Sequence, residues 1–145
     1  MKLVVQRVKE ASVTIENQVH SSIKRGLLIF LGVHKEDSAD KIPWLLNKLI
    51  HLRIFSDAQD KMNLSLKEIE GEALVVSQFT LYADCKNGRR PDFMQSAGGK
   101  LAETLYLTFV DALKKEIKSV QTGQFGEKMD INLINEGPVT IILEN

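Results

Sequence analysis

Three polar side chains interrupt a strongly apolar segment between Val75 and Leu81. Ser77, Gln78 and Thr80 supply two hydroxyls and an amide, which donate or accept hydrogen bonds in binding and catalytic sites. Burying such a group without a partner costs about 1–3 kcal/mol. The pattern therefore predicts either a functional segment or a strand that leaves the core here, and the residues alone leave both interpretations open.

A second polar interruption lies between two apolar segments near the end of the chain, at residues 135–140. Its centre, Gly137-Pro138, is typical of a tight turn, so we expect a hairpin there. A bond that precedes proline adopts the cis form at a cost of only about 0.5–1 kcal/mol, so either isomer fits these residues. The cis form would direct the neighbouring carbonyl groups in a way that a trans turn does not.

Other patterns that carry chemistry are incomplete. Gly98-Gly99-Lys100-Leu101 lacks the Ser or Thr of a phosphate-binding loop, and no GxGxxG follows a strand. His20, His34 and His51 have no ligand at metal-binding spacing, and a single cysteine, Cys85, excludes an internal disulfide and a multi-cysteine zinc site. We predict no metal and no cofactor, and we interpret Cys85 as an inert thiol in a reducing compartment, the cytoplasm.

The segments around the two interruptions favour strands. They are residues 3–8, 11–15, 19–23, 27–33, 53–55, 72–81, 131–134 and 139–143. Asn17-Gln18 is the predicted turn of a hairpin between the second and third of these. The continuous apolar run over 27–33 indicates a strand that is covered on both faces.

Two amphipathic helices complete the predicted elements. The first has apolar residues at helical spacing, namely Ile42, Leu45, Leu46, Leu49 and Ile50. The second follows Gly98-Gly99 and has Leu101, Leu105, Phe109, Ala112, Leu113 and Ile117. No repeat, low-complexity segment or long linker divides the chain. We therefore predict one α/β domain over residues 1–145, with a mainly antiparallel sheet and two helices.

Composition limits the partners. The chain has 19 Lys+Arg and 19 Asp+Glu, for a formal net charge of zero. Proteins that wrap duplex nucleic acid gain most of their affinity by neutralising phosphates, so we expect no DNA partner and only local contact with RNA. The longest apolar run has seven residues, whereas a bilayer span needs about 20. The N-terminal segment also lacks a signal-peptide cleavage site, so we expect no membrane association.

The two polar segments together resemble the D-aminoacyl-tRNA deacylase family. The family motifs SQxT and NxGPxT appear as Ser77-Gln78-Phe79-Thr80 and Asn135-Glu136-Gly137-Pro138-Val139-Thr140. Shorter matches follow the family order, namely Gln6-Arg7-Val8 with Ala11-Ser12-Val13, Gly26-Leu27-Leu28, Arg53-Ile54-Phe55, Lys61-Met62-Asn63-Leu64 and Gln121-Thr122-Gly123. One departure is Asp92, where the family more often has serine.

The resemblance implies a barrel-like α/β fold and a homodimer with two active sites at the subunit interface. The Gly137-Pro138 turn, with a cis bond and held by Arg7, would close the pocket of the other subunit. The implied reaction hydrolyses the ester between a D-amino acid and the 3′ end of tRNA, with glycyl-tRNA, including glycine mischarged on tRNA(Ala), as a second substrate. The implied catalytic residues are Ser77, Gln78, Phe79 and Thr80, and the implied substrate-binding and chirality-selecting residues are Gly137, Pro138, Asn135, Thr140, Arg7, Phe93 and Met129.

The chemistry of that reaction is compatible with these residues. An aminoacyl ester is already activated, so catalysis mainly requires positioning and stabilisation of the developing oxyanion. The backbone N–H groups near Gln78 and Phe79 are the expected donors, each worth about 2.7–4 kcal/mol. Thr80 has no histidine or lysine beside it in the sequence to act as a base. The resemblance instead favours the 2′-hydroxyl of the terminal adenosine.

The RNA partner is expected to contact the protein only at its CCA end and nearby stem. Lys86, Arg89 and Arg90 are the candidate tRNA-binding residues, and the negative charge of Asp92 beside them leaves the role of this loop open. Two alternative functions also remain. One is a non-catalytic module that binds the tRNA end, and the other is a small-molecule esterase with Thr80 as nucleophile.

Overall fold

Eight strands and two helices make up the computed structural model, which describes residues 1–145. The strands are β1 (Lys2–Ile15), β2 (Gln18–Ile23), β3 (Gly26–Gly32), β4 (Phe55–Ser56), β5 (Met62–Leu64), β6 (Glu72–Ser77), β7 (Val120–Thr122) and β8 (Asp130–Glu144). The helices are α1 (Ile42–Ile50) and α2 (Gly99–Glu116), and short 3-10 turns lie at Ala39–Lys41 and Phe79–Tyr82. Neither helix has the length and apolar character needed to cross a membrane.

Strand β1 organises the main sheet, because it pairs antiparallel with β2, β3 and β8. The sheet continues from β3 to β6 and β7 through parallel pairs. A hydrogen bond of 2.8 Å from Ser21 Oγ to the carbonyl of Thr122 links β2 to β7, so the sheet curls towards a barrel. The predicted α/β class, with a mainly antiparallel, barrel-like sheet and two helices, is confirmed.

Both faces of β3 are buried, as the apolar run predicted. Leu27, Ile29 and Leu31 pack into the larger core with both helices, and Leu28 packs into a smaller core on the opposite face. The five apolar positions that predicted the first helix are all buried in α1. The two faces differ because successive side chains of a strand point to opposite sides of the sheet.

The first hairpin turn differs by one residue from the prediction. Glu16 and Asn17 have φ values of 49° and 64°, and Gln18 already belongs to β2. Two successive positive φ values are typical of the type I′ turn, whose twist matches that of the flanking strands. Residues 3–8 and 11–15, which the sequence predicted as two strands, form one continuous strand, β1.

The hairpin expected at Gly137-Pro138 is wrong. β8 continues through this segment and pairs with β1 on both sides of it, with Gln6 opposite Thr140 and Val8 opposite Asn135. Residues 136–139 therefore bulge out of the sheet opposite the single residue between Gln6 and Val8. The reason is the length of β1, which offers partners to both halves of β8, so the extra residues are accommodated as a bulge.

Candidate active site

The segment Ser77-Gln78-Phe79-Thr80 lies where β6 ends and leaves the sheet. Ser77 is the last residue of β6, and Phe79 begins the 3-10 turn. The N–H of Gln78 donates to the carbonyl of Leu31 at 2.8 Å, which fixes the segment to the end of β3. The strand predicted over 72–81 is thus shorter, because the chain turns before its last four residues.

A pocket of about 410 Å³ opens at this point. Ser77, Gln78 and Phe79 line one side, and Phe125 and Met129 contribute apolar surface. The N–H of Gln124 donates to Met129 Sδ at 3.3 Å, which holds that side chain in place. Phe125 was not singled out from the sequence, since it follows β7 in a polar loop without a periodic pattern. A mostly apolar cavity of this size with a few polar groups is typical of a small-ligand site.

The side chain of Thr80 is held by an amide. Gln78 Nε2 donates to Thr80 Oγ1 at 2.5 Å, and Thr80 is exposed. An amide cannot remove the proton of a hydroxyl, so this contact does not activate Thr80 as a nucleophile.

One of the two expected backbone donors is engaged elsewhere. The N–H of Gln78 is bonded to Leu31, so it is not available to a substrate. The N–H of Phe79 opens the 3-10 turn, and the first N–H groups of a helical turn have no partners within it. Of the two expected donors, the N–H of Phe79 therefore remains the candidate, and its contact with a substrate stays a prediction.

The Gly-Pro segment forms a projecting turn at the bulge of β8. Gly137 and Pro138 are exposed, and the bond between them is cis. Arg7, which is only 9% exposed, donates from Nε to the carbonyl of Glu136 at 2.7 Å and from Nη1 to the carbonyl of Ile54. Both acceptors are backbone carbonyl groups and neither is a carboxylate. Arg7 therefore holds the base of the turn by two directed hydrogen bonds and not by an ion pair.

Asn135 closes the base of the turn from within. Its Nδ2 donates to the carbonyls of Arg7 at 2.9 Å and Val139 at 3.1 Å. A Cβ on Gly137 would lie 2.1 Å from the nitrogen of Val139 and 2.8 Å from Asn135 Oδ1. Only glycine fits this position without displacing the turn. Thr140 follows the turn, where its hydroxyl accepts a hydrogen bond of 3.2 Å from Gln6 Nε2.

Arg25 is a contact of the turn that the sequence analysis missed. Its Nε and Nη2 each lie 3.2 Å from a carboxylate oxygen of Glu136, and its guanidinium lies 5.6 Å from the ring centre of buried Phe55. The two charged residues are 111 positions apart. No local pattern could have linked them.

The remaining predicted residues lie near the pocket or on an adjacent loop. Phe93 packs edge-on against Phe79, with ring centres 5.1 Å apart. Lys86, Arg89 and Arg90 are exposed on the loop that precedes Phe93. Neither Gly137 nor Pro138 lines the pocket, so one chain presents the pocket and the turn as separate structures.

The buried side chain of Tyr106 lies near the pocket and stays neutral. Tyr106 donates its hydroxyl to the carbonyl of Val75 at 2.9 Å, and burial raises the pKa of Tyr106 to about 12. Its ring lies 5.8 Å from that of Phe125. Histidine, cysteine and carboxylate side chains nowhere gather in groups of three that would hold a metal ion.

Comparison with known proteins gives consistent matches over the whole chain. The family model described as D-Tyr-tRNA(Tyr) deacylase matches residues 4–144. A D-aminoacyl-tRNA deacylase from Protochlamydia amoebophila (strain UWE25) is 55% identical over 145 residues, with 100% of this chain and 96% of the relative covered. The corresponding protein from Thermosipho africanus (strain TCF52B) is 50% identical, with coverage of 100% and 97%.

Two solved structures share the fold. One, described as c-Myc DNA Unwinding Element Binding Protein, superposes with a TM-score of 0.95 at 38% identity, covering 100% of this chain and 99% of that chain. Another, of a probable eukaryotic D-amino acid tRNA deacylase, has a TM-score of 0.85 at 17% identity, with coverage of 98% and 97%. The predicted family and enzyme class are confirmed: the chain belongs to the D-Tyr-tRNA(Tyr) deacylase family, whose members are hydrolases of aminoacyl-tRNA esters.

Proposed function

We propose that this protein hydrolyses the ester bond of D-aminoacyl-tRNA to free D-amino acid and tRNA, and that it spares L-aminoacyl-tRNA. The observation that carries this proposal is the pocket at the end of β6. Phe79 lines this pocket and begins the 3-10 turn, so its N–H is the donor that we assign to the substrate, while Thr80 has an amide rather than a base as its partner. Such a site suits an activated ester, which requires oxyanion stabilisation more than a strong base.

The reaction balances with the substrate's own hydroxyl as the proton relay. The N–H of Phe79 donates to the ester carbonyl oxygen, and a water molecule attacks the carbonyl carbon. The 2′-hydroxyl of the terminal adenosine passes a proton of that water to the 3′ oxygen, and the bond between the carbonyl carbon and the 3′ oxygen breaks. Gln78 and Thr80 then act as positioning groups at the edge of the reacting ester.

A second copy of the chain completes this site in the proposal. Gly137 and Pro138 project into solvent from their own chain and do not reach its pocket. In a homodimer the turn of one subunit would close the pocket of the other. Its rigid base, held by Arg7 and Asn135, is what a cross-subunit contact of fixed geometry needs.

Chirality is selected by the backbone of that turn. Carbonyl groups around Gly137-Pro138 accept hydrogen bonds from the substrate's ammonium group, which fixes where its side chain points. An L side chain would overlap the turn, whereas a D side chain points out of the pocket. Glycine has no side chain to overlap, so glycyl-tRNA, including glycine mischarged on tRNA(Ala), is accepted as well.

The tRNA partner would contact the protein at its CCA end. Lys86, Arg89 and Arg90 are exposed on the loop that precedes Phe93 and supply local positive charge. The carboxylate of Asp92 accepts the N–H of Met94 at 2.7 Å, which fixes it at the base of this loop. The single, exposed thiol of Cys85 fits a reducing compartment, so we assign the reaction to the cytoplasm.

The test compares the hydrolysis of D-tyrosyl-tRNA and L-tyrosyl-tRNA by the purified protein. We expect loss of the D ester with the L ester intact. Loss of both would retain the hydrolase but contradict the chiral role of the turn. Hydrolysis of simple esters without preference for tRNA would indicate a small-molecule esterase. Saturable tRNA binding with no ester loss would indicate a non-catalytic binding module.

A further inference from the structure

An exposed aromatic pair lies at the rim of the active-site pocket. Phe79 and Phe93 are 55% and 38% exposed, and their rings meet edge to face with centres 5.1 Å apart. Phe79 also lines the pocket, so the pair extends outwards from its mouth. Large apolar side chains that stay exposed together often mark an interaction surface. The proposed hydrolysis uses only the backbone of Phe79, and the substrate-binding role that the resemblance implies for Phe93 does not say which part of the substrate its ring contacts.

A basic loop directly precedes Phe93 in the chain. Residues 85–91 contain Lys86, Arg89 and Arg90 and no acidic residue. Two backbone hydrogen bonds between Asp84 and Asp92, of 2.8 and 2.9 Å, close the base of the loop. None of the three cations forms an ion pair within the chain. Their charge is therefore available to an anionic partner.

The acidic residues at the base of the loop are engaged with the backbone. Asp84 Oδ1 accepts the N–H of Lys86 at 2.8 Å, and Asp92 Oδ1 accepts the N–H of Met94 at 2.7 Å. These bonds fix both carboxylates at the foot of the loop. The exposed loop thus carries positive charge, and the aromatic Phe93 follows it in the chain.

The aromatic pair is held in a fixed position. Ser96 Oγ donates to the carbonyl of Phe79 at 2.8 Å, and the N–H of Ser96 donates to the carbonyl of Phe93 at 3.0 Å. The N–H of Ala97 donates to the carbonyl of Val33 at 2.9 Å, which ties the segment to the end of β3. A preorganised surface loses little conformational freedom when a ligand binds.

We propose that the aromatic pair and the basic loop form a track for the single-stranded RNA that precedes the terminal adenosine. A base stacks on Phe93, and the neighbouring phosphates face Lys86, Arg89 and Arg90. Stacking on aromatic rings together with phosphate contacts is the usual way of binding single strands. The inference rests on the proposed function, because the strand leaves over this rim only if the terminal adenosine occupies the pocket.

The first experiment separates this track from the pocket by shortening the substrate. Hydrolysis of D-tyrosyl-tRNA is compared with hydrolysis of 3′-O-D-tyrosyl-adenosine, which lacks the preceding nucleotides, in wild type and Phe93→Ala. We expect the ratio of kcat/KM between the long and the short ester to fall about tenfold in Phe93→Ala, mainly through KM. Leu107→Ala, which truncates a half-exposed leucine on α2, is the matched control and leaves the ratio unchanged.

The second experiment tests the charges. Replacing Lys86, Arg89 and Arg90 together by alanine should make the dependence of log(kcat/KM) for D-tyrosyl-tRNA on log[salt] less steep, by about 0.7 for each phosphate that the variant no longer neutralises. The double variant Lys114→Ala/Lys115→Ala, on the exposed side of α2, is the control and keeps the wild-type slope.

Three results would overturn the track. An equal fold-loss of kcat/KM on both esters in Phe93→Ala would place Phe93 in the pocket chemistry, and wild-type kcat/KM on both esters would show that no base stacks there. A shift in sedimentation of Phe93→Ala would instead assign the pair to contact between two copies of the chain. If wild type hydrolyses neither ester, the proposed function itself fails, which is a different result from an active enzyme with an unchanged ratio.

Discussion

Arg7 donates to the carbonyl of Glu136 at 2.7 Å across the bulge where residues 136–139 of β8 face a single position of β1. The guanidinium is nearly buried, and its other hydrogen bond also goes to a carbonyl, that of Ile54. Two donors in one rigid plane therefore locate the projecting turn relative to the sheet. A lysine could not reproduce this arrangement, because its donors all lie on one nitrogen at the end of a flexible side chain and cannot reach two separate carbonyl groups in a fixed plane.

We expect Arg7→Lys to weaken the discrimination between D- and L-tyrosyl-tRNA by about tenfold and to lower the free energy of unfolding by about 1–3 kcal/mol, since it leaves a buried carbonyl without its donor. The measurements are the ratio of kcat/KM for the two esters and urea unfolding. Arg25→Lys is the matched control. Its ion pair with Glu136 is partly exposed, so its effect on stability should stay within about 1 kcal/mol. Unchanged discrimination in Arg7→Lys would contradict a role for Arg7 in placing the turn.

Thr80→Ala should weaken turnover without abolishing it. The hydroxyl accepts one hydrogen bond from Gln78 and has no base, so its removal should lower kcat by about two- to tenfold, the worth of one such bond. Single-turnover hydrolysis of D-tyrosyl-tRNA measures this, with Thr80→Ser as the control that retains the hydroxyl. Complete loss of activity with tRNA binding and dimerisation intact would show that Thr80 is the nucleophile.

Gly137→Ala should damage activity far more than stability. The new Cβ would lie 2.1 Å from the nitrogen of Val139, so the turn must move. Because Gly137 is exposed, the added methyl group does not disturb the packing of the core. A displacement of about 1 Å at a positioning group costs about 100-fold in rate. The measurement is kcat/KM on D-tyrosyl-tRNA together with the thermal midpoint. Gly98→Ala, where a Cβ meets nothing within 4 Å, is the control. Wild-type activity in Gly137→Ala would refute the role of the turn.

Pro138→Ala tests the same turn by chirality rather than by rate. We expect a larger loss of L-ester rejection than of D-ester hydrolysis, because the turn acts mainly by excluding the L side chain. The assay is the pair of tyrosyl-tRNA esters, with circular dichroism to show that the variant is folded. A folded variant that rejects the L ester as well as wild type does would count against this mechanism.

The ionisation of Asp37 should make the free energy of unfolding depend on pH. Burial by itself raises the pKa of its carboxyl, but hydrogen bonds from the Met1 ammonium and Lys41 hold the pKa below its ordinary value of 3.8. A lowered pKa in the folded state means that the stabilisation is present above pH 3.8 and is lost as pH falls below it. Asp37→Asn should therefore cost about 3 kcal/mol near pH 7, as expected when one partner of a buried pair is removed.

The measurement for Asp37 is the free energy of unfolding between pH 7 and pH 2. The difference between wild type and Asp37→Asn should shrink as pH falls below 3.8. Asp40→Asn, at an exposed carboxylate nearby, is the control and should change stability little at any pH. A constant difference across the whole range would show that the Asp37 charge does not stabilise the fold.

The fold class and the positions of the two polar segments could be predicted from the sequence because they are local signals. The apolar run of β3 and the helical spacing in α1 report which faces are buried, and the structure buries them as expected. Ser77-Gln78-Phe79-Thr80 attracted attention because polar groups within a buried strand require partners. The structure ends the strand at Ser77, and Ser77, Gln78 and Phe79 line a pocket there, so the functional interpretation of the segment stays a prediction.

What tertiary structure alone decided is how distant segments pair. The Gly137-Pro138 segment has the residues of a hairpin turn, yet it is a bulge, because β1 is long enough to pair with β8 on both sides of it. The Arg25–Glu136 pair and the hydrogen bond from the Gln78 N–H to Leu31 likewise join segments that are far apart in the sequence. Periodicity records the burial of each segment, whereas register and pairing follow from the packing of the whole sheet, which no single segment encodes.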